Sequence, residues 1–494
     1  MAFLPRNGCL TRRFASSSRR TLCSHTPGRY ASSPPAAAGH HSAKYGGVFD
    51  APPPREGGSK KKTSPLSALP TSSLIRGLLI NSISSKPWLL GPAVSVISFL
   101  SRPNRAFLFD VNRNKALAKV VKGTVYRQFC AGEDGNEVKQ TIKSFERMGF
   151  HGTIMTYAKE IVFDSSTKVT HGLGAEENTD PAKAQCPLIE AWREGVCETI
   201  DMLGKNDQLA IKKHRITGAG PSITEALLAG KQLPKQMWAA LLEVGNRCKR
   251  RGIRILIDAE SYVYQGSILE VGLDLMREFN RDGQALVFST YQAYLKSTTS
   301  AVAAHLETAL KEQFTLGIKL VRGAYLAMEE RSLIHDTKAD TDEAYNTIAH
   351  GAVKRKFGRI GEEGPGKFPS VNLLLCSHNK ESVFSTYALH QQRLRDGLPT
   401  VPVGFAQLQG MTDELSLGLL HVGDLEGTRP EVYKCSTWGT VTECLGYLTR
   451  RALENRDAAG RTMDEYVALK AEARRRIAAF FFLGSRPKGG LAPK

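Results

Sequence analysis

From about residue 150 the chain alternates short apolar, β-branched runs with longer stretches in which apolar residues recur every three to four positions. The short runs predict strands at 153–157, 209–212, 254–258, 285–289, 317–321, 371–376, 402–406 and 431–433. The longer stretches predict helices over 189–203, 222–251, 266–280, 299–313, 340–357, 381–395 and 411–420. Strands alternating with helices imply a parallel sheet, and eight such units imply a closed (βα)8 TIM-like barrel of the α/β class. An open doubly wound sheet is the rival, but no Gly-x-Gly-x-x-Gly turn follows any candidate strand. The nearest match, Gly218-Ala-Gly220-Pro221, lacks the third glycine. Residues 71–149 read as a mainly helical segment ahead of the barrel.

Barrel sites lie at the C-terminal ends of the strands, and here those ends are polar. They carry Lys212, Asp258 and Glu260, Ser289 to Gln292, Lys319 with Arg322 to Tyr325, His378 and Asn379, and Gln407 with Gln409. Singly, each has a structural explanation as a cap, a turn residue or a satisfied polar group. Converging on one mouth, they make a binding site. After the last strand, Tyr447, Arg450, Arg451 and Glu454 share one helix face by their spacing of three and four. Two adjacent guanidiniums repel each other unless an anion sits between them. With an acid and a phenol beside them they suit a small carboxylate ligand.

Composition narrows the field. The 494 residues are 41% hydrophobic and 8% aromatic, which is ordinary for a globular protein. The net charge of +19 is uneven, because residues 1–62 hold eleven Lys/Arg against Asp50 and Glu56. No nucleic-acid motif accompanies it, so a nucleic-acid partner is not expected. The acid-free, Arg- and Ser-rich start reads as an organelle transit peptide over residues 1–45. Residues 46–70 read as a disordered linker, 71–149 as the accessory segment, 150–460 as the barrel and 461–494 as a C-terminal helix and tail. Nine cysteines without a Cys-x-x-Cys argue against a disulfide framework or a zinc site. The apolar stretch 78–100 is broken by Lys86, Pro87 and Pro92 and is too short to span a bilayer. Arg474 to Arg476 followed by Phe480 to Leu483 offers a second candidate for contact with a membrane surface. No Gly-x-Ser-x-Gly elbow and no metal-ligand spacing is evident, which favours an organic cofactor over a metal.

Five motifs in order carry a resemblance: Ile257-Asp-Ala-Glu260, Ser289-Thr-Tyr-Gln292, Lys319-Leu-Val-Arg-Gly-Ala-Tyr325, Ser377-His-Asn379 and Tyr447-Leu-x-Arg-Arg-x-x-Glu-Asn455. Over roughly residues 105–460 the chain resembles the mitochondrial proline dehydrogenases. The resemblance implies a distorted barrel holding FAD non-covalently. It implies oxidation of L-proline to Δ1-pyrroline-5-carboxylate by hydride transfer from C5 to flavin N5. Electrons would pass to ubiquinone, on the matrix side of the mitochondrial inner membrane, with peripheral membrane contact. Carried over by residue, Arg450 and Arg451 would clamp the substrate carboxylate with Lys212 nearby. Glu454 would hold the two arginines, and Asp258 would pair with Lys212. Tyr325, Tyr447 and Leu408 would line the pocket. Gln292, Lys319, Arg322, Gly323, Ala324, His378 and Gln407 would contact the flavin.

Three positions depart from the family pattern. Cys435 stands where a pocket tyrosine is expected, with Thr437 in place of a proline, and Lys213 replaces a leucine. The smaller Cys435 leaves room beside the ring, so hydroxyproline is an alternative substrate for the same chemistry. A Schiff-base barrel aldolase and a basic interaction protein without catalysis are the more distant alternatives.

Overall fold

In the computed structural model the described residues are 64–102, 106–158, 162–164, 169–171, 186–211, 219–326, 329–361, 367–457 and 459–483. The expected transit peptide, most of the linker and Lys212 lie outside them.

The chain opens with α1 (Thr71–Ser84), α2 (Pro87–Leu100), α3 (Lys115–Val121), a π-helical turn (Lys122–Tyr126) and the single turn α4 (Arg127–Phe129). A short strand, β1 (Cys130–Gly132), leads into α5 (Gly135–Arg147). The barrel then begins with β2 (Gly152–Tyr157). A hairpin of β3 (Val162–Asp164) and β4 (Val169–His171) follows, and then α6 (Pro187–Met202) and β5 (Gln208–Ile211). Next come α7 (Pro221–Leu228), α8 (Lys235–Arg251), β6 (Arg254–Ile257), α9 (Tyr262–Phe279), β7 (Val287–Gln292), α10 (Thr298–Glu312) and β8 (Leu316–Val321). The last units are α11 (Lys338–Lys354), β9 (Val371–Cys376), α12 (Lys380–Arg395), β10 (Val403–Leu408), α13 (Asp413–Glu426) and β11 (Glu431–Trp438), followed by α14 (Val441–Asp457) and α15 (Ala459–Leu483).

Strands β2 and β5 to β11 pair in parallel in sequence order, and β11 returns to pair with β2, which closes the barrel. The closing register runs from Tyr433 opposite Gly152 to Trp438 opposite Tyr157. All eight expected strands are present, and the expected barrel is the observed fold.

Side-chain alternation divides the core in two. Outward residues such as Ile255, Ile257, Ile318, Leu320, Leu373 and Leu375 pack under the helices. Inward residues Ile154, Ala210, Leu256, Phe288, Leu374, Ala406 and Tyr433 fill the barrel itself. Strands apolar on both faces are what a parallel barrel wrapped by helices requires.

Three expectations are corrected. The stretch 222–251 is two helices, because Gly230 turns left-handed (φ +60°) and Pro234 precedes α8. The strand expected at 285–289 begins at Val287. The Asn280 side chain takes the Leu286 and Val287 amides, and Asn372 takes that of Ala285. Residues 65–69, expected in the linker, form a packed turn with Leu66 and Leu69 buried, because this Leu-x-x-Leu pair docks against α13 and α15.

Candidate active site

The motif residues converge at the C-terminal mouth of the barrel. Asp258 follows β6 directly, and its carboxylate pairs with the Lys319 ammonium from β8. The expected partner of Asp258, Lys212, lies outside the described residues; among those described its partner is Lys319, which parity places inside the barrel beside Cys376 and Cys435. Burial works against the Lys319 charge, but the neighbouring carboxylate more than offsets it and holds the ammonium above the ordinary lysine range.

Just past β8, Arg322 is locked on four sides. Its Nε donates to Asp342 at 2.8 Å, and its two terminal nitrogens donate to Ser377 Oγ at 2.6 Å and Ser382 Oγ at 2.8 Å. The guanidinium lies 4.3 Å from the Tyr345 ring centre. Burial raises the Asp342 carboxyl, but Lys338 and Arg322 outweigh it and hold that carboxyl below the usual range. Gly323 then takes φ +148°, and a Cβ there would stand 2.4 Å from the Tyr294 ring. Only glycine fits that turn. Ala324 is exposed, and the Tyr325 hydroxyl donates to the Ala259 carbonyl at 2.9 Å. Burial and the charges of Asp258 and Glu260 push the Tyr325 phenol well up, while the Arg450 charge pulls it down. The α14 guanidinium is thus within electrostatic reach of the Tyr325 phenol.

The remaining strand ends supply polar groups with mixed duties. Gln292 donates from Nε2 to the Glu260 carbonyl at 3.1 Å, while its buried Oε1 has no partner among the described residues. Gln407 is engaged at both ends, donating to the Ser377 carbonyl at 3.3 Å and accepting from Ser416 at 3.0 Å. His378 shares a hydrogen bond of 2.7 Å with Thr412. Leu408 and Cys435 face each other across β10 and β11, both partly buried. Trp438 does not fill the space beside Cys435. It stacks on Tyr157 at 4.5 Å and donates to Thr199 at 3.2 Å. Ser436 is likewise engaged, by Gln409.

On α14, Tyr447 and Leu448 are buried, and Arg450 and Arg451 are partly buried. The Arg451 guanidinium lies 5.0 Å from the Tyr447 ring centre. Glu454 sits one turn further along the same helix. The start of α14 is fixed from the N-terminal segment, which sequence reasoning assigned no part in the site. Gly439 takes φ +138° to turn the chain. Its N–H donates to Gly132 at 3.0 Å, and its carbonyl accepts from Tyr126 at 2.6 Å. Glu133 accepts from the Val441 amide at 3.1 Å and is itself paired with Lys122. A third apolar cluster, including Tyr126, Phe129, Leu445, Tyr447 and Leu448, seals the joint. No local pattern signals this role, because Tyr126 and Glu133 lie some 300 residues from the helix they hold.

The arrangement can bind an anion between the α14 arginines and an electron-rich planar group above Lys319. Two observations fit a flavin there: the buried Gln292 Oε1 is without a partner among the described residues, and a charged lysine is held by Asp258 at the barrel mouth.

The family model described as proline dehydrogenase matches residues 139–464. The probable mitochondrial proline dehydrogenase of Schizosaccharomyces pombe is 25% identical, over 82% of this chain and 88% of that protein. The hydroxyproline dehydrogenase of Xenopus laevis is 26% identical, over 81% of this chain and 86% of that protein. Among solved structures, proline utilization A from Bdellovibrio bacteriovorus superposes with a TM-score of 0.55 at 17% identity. It covers 81% of this chain and 39% of that longer one, a likeness of fold.

Proposed function

The chain belongs to the proline dehydrogenase family, and we propose that it oxidises L-proline to Δ1-pyrroline-5-carboxylate with a bound FAD in the mitochondrion. The observation that carries this reading is the convergence at the strand ends of the Lys319–Asp258 pair, the locked Arg322 and Tyr325, with Arg450 of α14 within electrostatic reach of the Tyr325 phenol. Arg450 and Arg451 grip the proline carboxylate, as paired guanidiniums do. Glu454 steadies them, and Lys212 adds a further positive charge. Tyr325, Tyr447 and Leu408 enclose the ring and fix C5 toward the cofactor, which converts binding into orientation. Gln292, Arg322, Gly323, Ala324, His378 and Gln407 hold the cofactor. When bound, FAD supplies the two-electron acceptor for the C5 hydride. Lys319 offers a fixed positive charge where negative charge accumulates on reduction, and Asp258 keeps that lysine charged and aimed.

Ubiquinone is the electron acceptor in this reading, at the matrix face of the inner membrane, with the protein in peripheral contact with the bilayer. Residues 1–45 direct import, residues 46 to the mid-60s link them to the accessory helices, and the barrel follows. The name of the S. pombe relative supports the compartment.

A second reading, oxidation of hydroxyproline by the same groups, is favoured by one observation. Cys435 is smaller than the expected tyrosine, and Trp438, held by Tyr157 and Thr199, does not take that tyrosine's place.

The test is the visible spectrum of the pure protein before and after anaerobic addition of L-proline, then of trans-4-hydroxyproline. A flavin band that bleaches with either is expected, and the faster substrate decides between the readings. A flavin that stays oxidised with both overturns them.

A further inference from the structure

Helix α2 carries no charged residue in its fourteen positions. One side of it packs on α14 and α1. The other side, at positions 88, 91, 92, 95, 96 and 99, is exposed along its whole length. That spacing of three and four is a single helix face. Trp88 on it is 71% exposed and Val96 57% exposed. The face continues past the helix into a short 3-10 turn, where Phe107, Leu108 and Phe109 are also exposed. The Phe109 ring meets Phe99 edge-on at 5.4 Å, so the two segments form one patch. An exposed face without a charged residue, interrupted only by the Ser95 hydroxyl, which donates to the Gly91 carbonyl at 3.1 Å, marks a contact surface rather than a solvated one.

Charge says what it contacts. Between residues 64 and 129 there are nine Lys/Arg and one acid, Asp110. Lys86, Arg102, Arg113, Lys115 and Lys119 are all exposed around the patch, and the Arg113 guanidinium lies 5.8 Å from the Phe107 ring centre. Aromatic side chains ringed by cations fit the boundary between acyl chains and anionic headgroups. Among the described residues no single helix is long and apolar enough to cross a bilayer, and α1 and α2 meet at 107°. One exposed face of α2, with its other side packed on α1 and α14, suits lying on a membrane rather than crossing it. The C-terminal arginine–phenylalanine run fits this role less well. Arg475 and Arg476 turn inward to the buried Glu472, and Arg476 also donates to the Leu66 and Leu69 carbonyls.

We propose that the outer face of α2, together with the 107–109 turn, is the surface by which this protein lies on an anionic lipid membrane. The proposal rests on the reading of a membrane-associated dehydrogenase and names the face that makes the contact. Because the inner side of α2 packs on α14, the bilayer would lie one helix away from the substrate arginines.

The experiment is flotation of the full-length, cofactor-loaded protein with vesicles of phosphatidylcholine alone and with a fifth of an anionic phospholipid. Emission from Trp88 is followed with lipids brominated in the acyl chains. Expected are binding that needs the anionic lipid and falls at high salt, and quenching that disappears in Trp88→Phe. Trp88→Glu combined with Val96→Glu should weaken vesicle binding at least ten-fold, with turnover on a soluble dye acceptor unchanged as the check on folding. Absence of binding to either vesicle, or binding indifferent to the double substitution, overturns the proposal. So does a lipid-free dimer that the same substitutions dissociate, since a second copy would then cover the face. Vesicle binding without any proline-dependent flavin reduction would instead refute only the catalytic reading.

Discussion

Two lysines of the barrel wall each meet an aspartate, and the two pairs serve different ends. Lys319 on β8 points inward, 12% exposed, and meets Asp258 at the mouth. Lys434 on β11 points outward, 2% exposed, and meets Asp413 at 2.7 Å at the start of α13. The outer ammonium also donates to the Met411 carbonyl at 3.3 Å and lies 5.6 Å from the Phe150 ring centre. Around it, Glu465 of α15 accepts from the Asp413 and Glu414 amides, so one buried cluster fastens α13 and α15 to the barrel. A strand sends successive side chains to opposite faces. The same charge is therefore chemistry on one side of the wall and anchorage on the other.

The comparison breaks most visibly on substitution of the lysines. Lys434→Met strands Asp413 and Glu465 without their cation, and breaking a buried pair this way costs about 3–5 kcal/mol. Chemical denaturation should show that loss, with turnover per folded molecule unchanged. Lys319→Met should do the reverse. Removing a charge aimed at the reacting group typically lowers kcat about 100- to 1000-fold, while Asp258, still reached by water, limits the loss of stability. Equal effects of the two substitutions on kcat would erase the distinction.

Glu465 sharpens the comparison through pH. Burial first, then the neighbouring Asp413, pushes its carboxyl up to about 7. The folded protein thus holds this proton more tightly than the unfolded chain, and stability falls as pH rises from the ordinary glutamate range to about 7. Glu465→Gln should remove that fall, worth about 1–3 kcal/mol, and leave a flatter stability profile between pH 5 and 8. A profile as steep as that of the wild type would place the titration elsewhere.

Tyr126→Phe removes the hydroxyl that holds the Gly439 carbonyl at 2.6 Å. A loss of about 1 kcal/mol is expected, with KM for proline rising more than kcat falls, because the helix bearing the arginines is loosened. The smallest effect belongs to Cys435→Tyr. Refilling the space beside the ring should change the ratio of kcat/KM for proline over trans-4-hydroxyproline by a few-fold, since a ring methylene is worth about 0.8 kcal/mol.

These residues also mark how far the sequence could be read. Strand placement was legible because two-faced apolar runs between helices admit few other folds. The break at Gly230 and Pro234 was visible but overridden by apolar periodicity running across it. The late start of β7 was hidden, because it depends on Asn280 and Asn372 capturing strand amides. Motif residues at strand ends were legible since each is local in sequence. Pairings were not: the bond of Asp258 to Lys319, 61 residues away, follows from no local pattern. Lys434, Glu465, Tyr126 and Glu133 carried no local signal at all, because their roles arise only when distant elements pack.

The most direct test of the assembled site is the affinity of a proline-shaped carboxylate that cannot be oxidised, read from its perturbation of the flavin spectrum. Wild type is compared with Arg450→Met and Arg451→Met. Loss of one charge-assisted pair predicts about 30- to 1000-fold weaker binding in each variant, about 2–4 kcal/mol, with flavin content retained. Unchanged affinity in both variants would contradict the assignment of the α14 arginines to the substrate carboxylate.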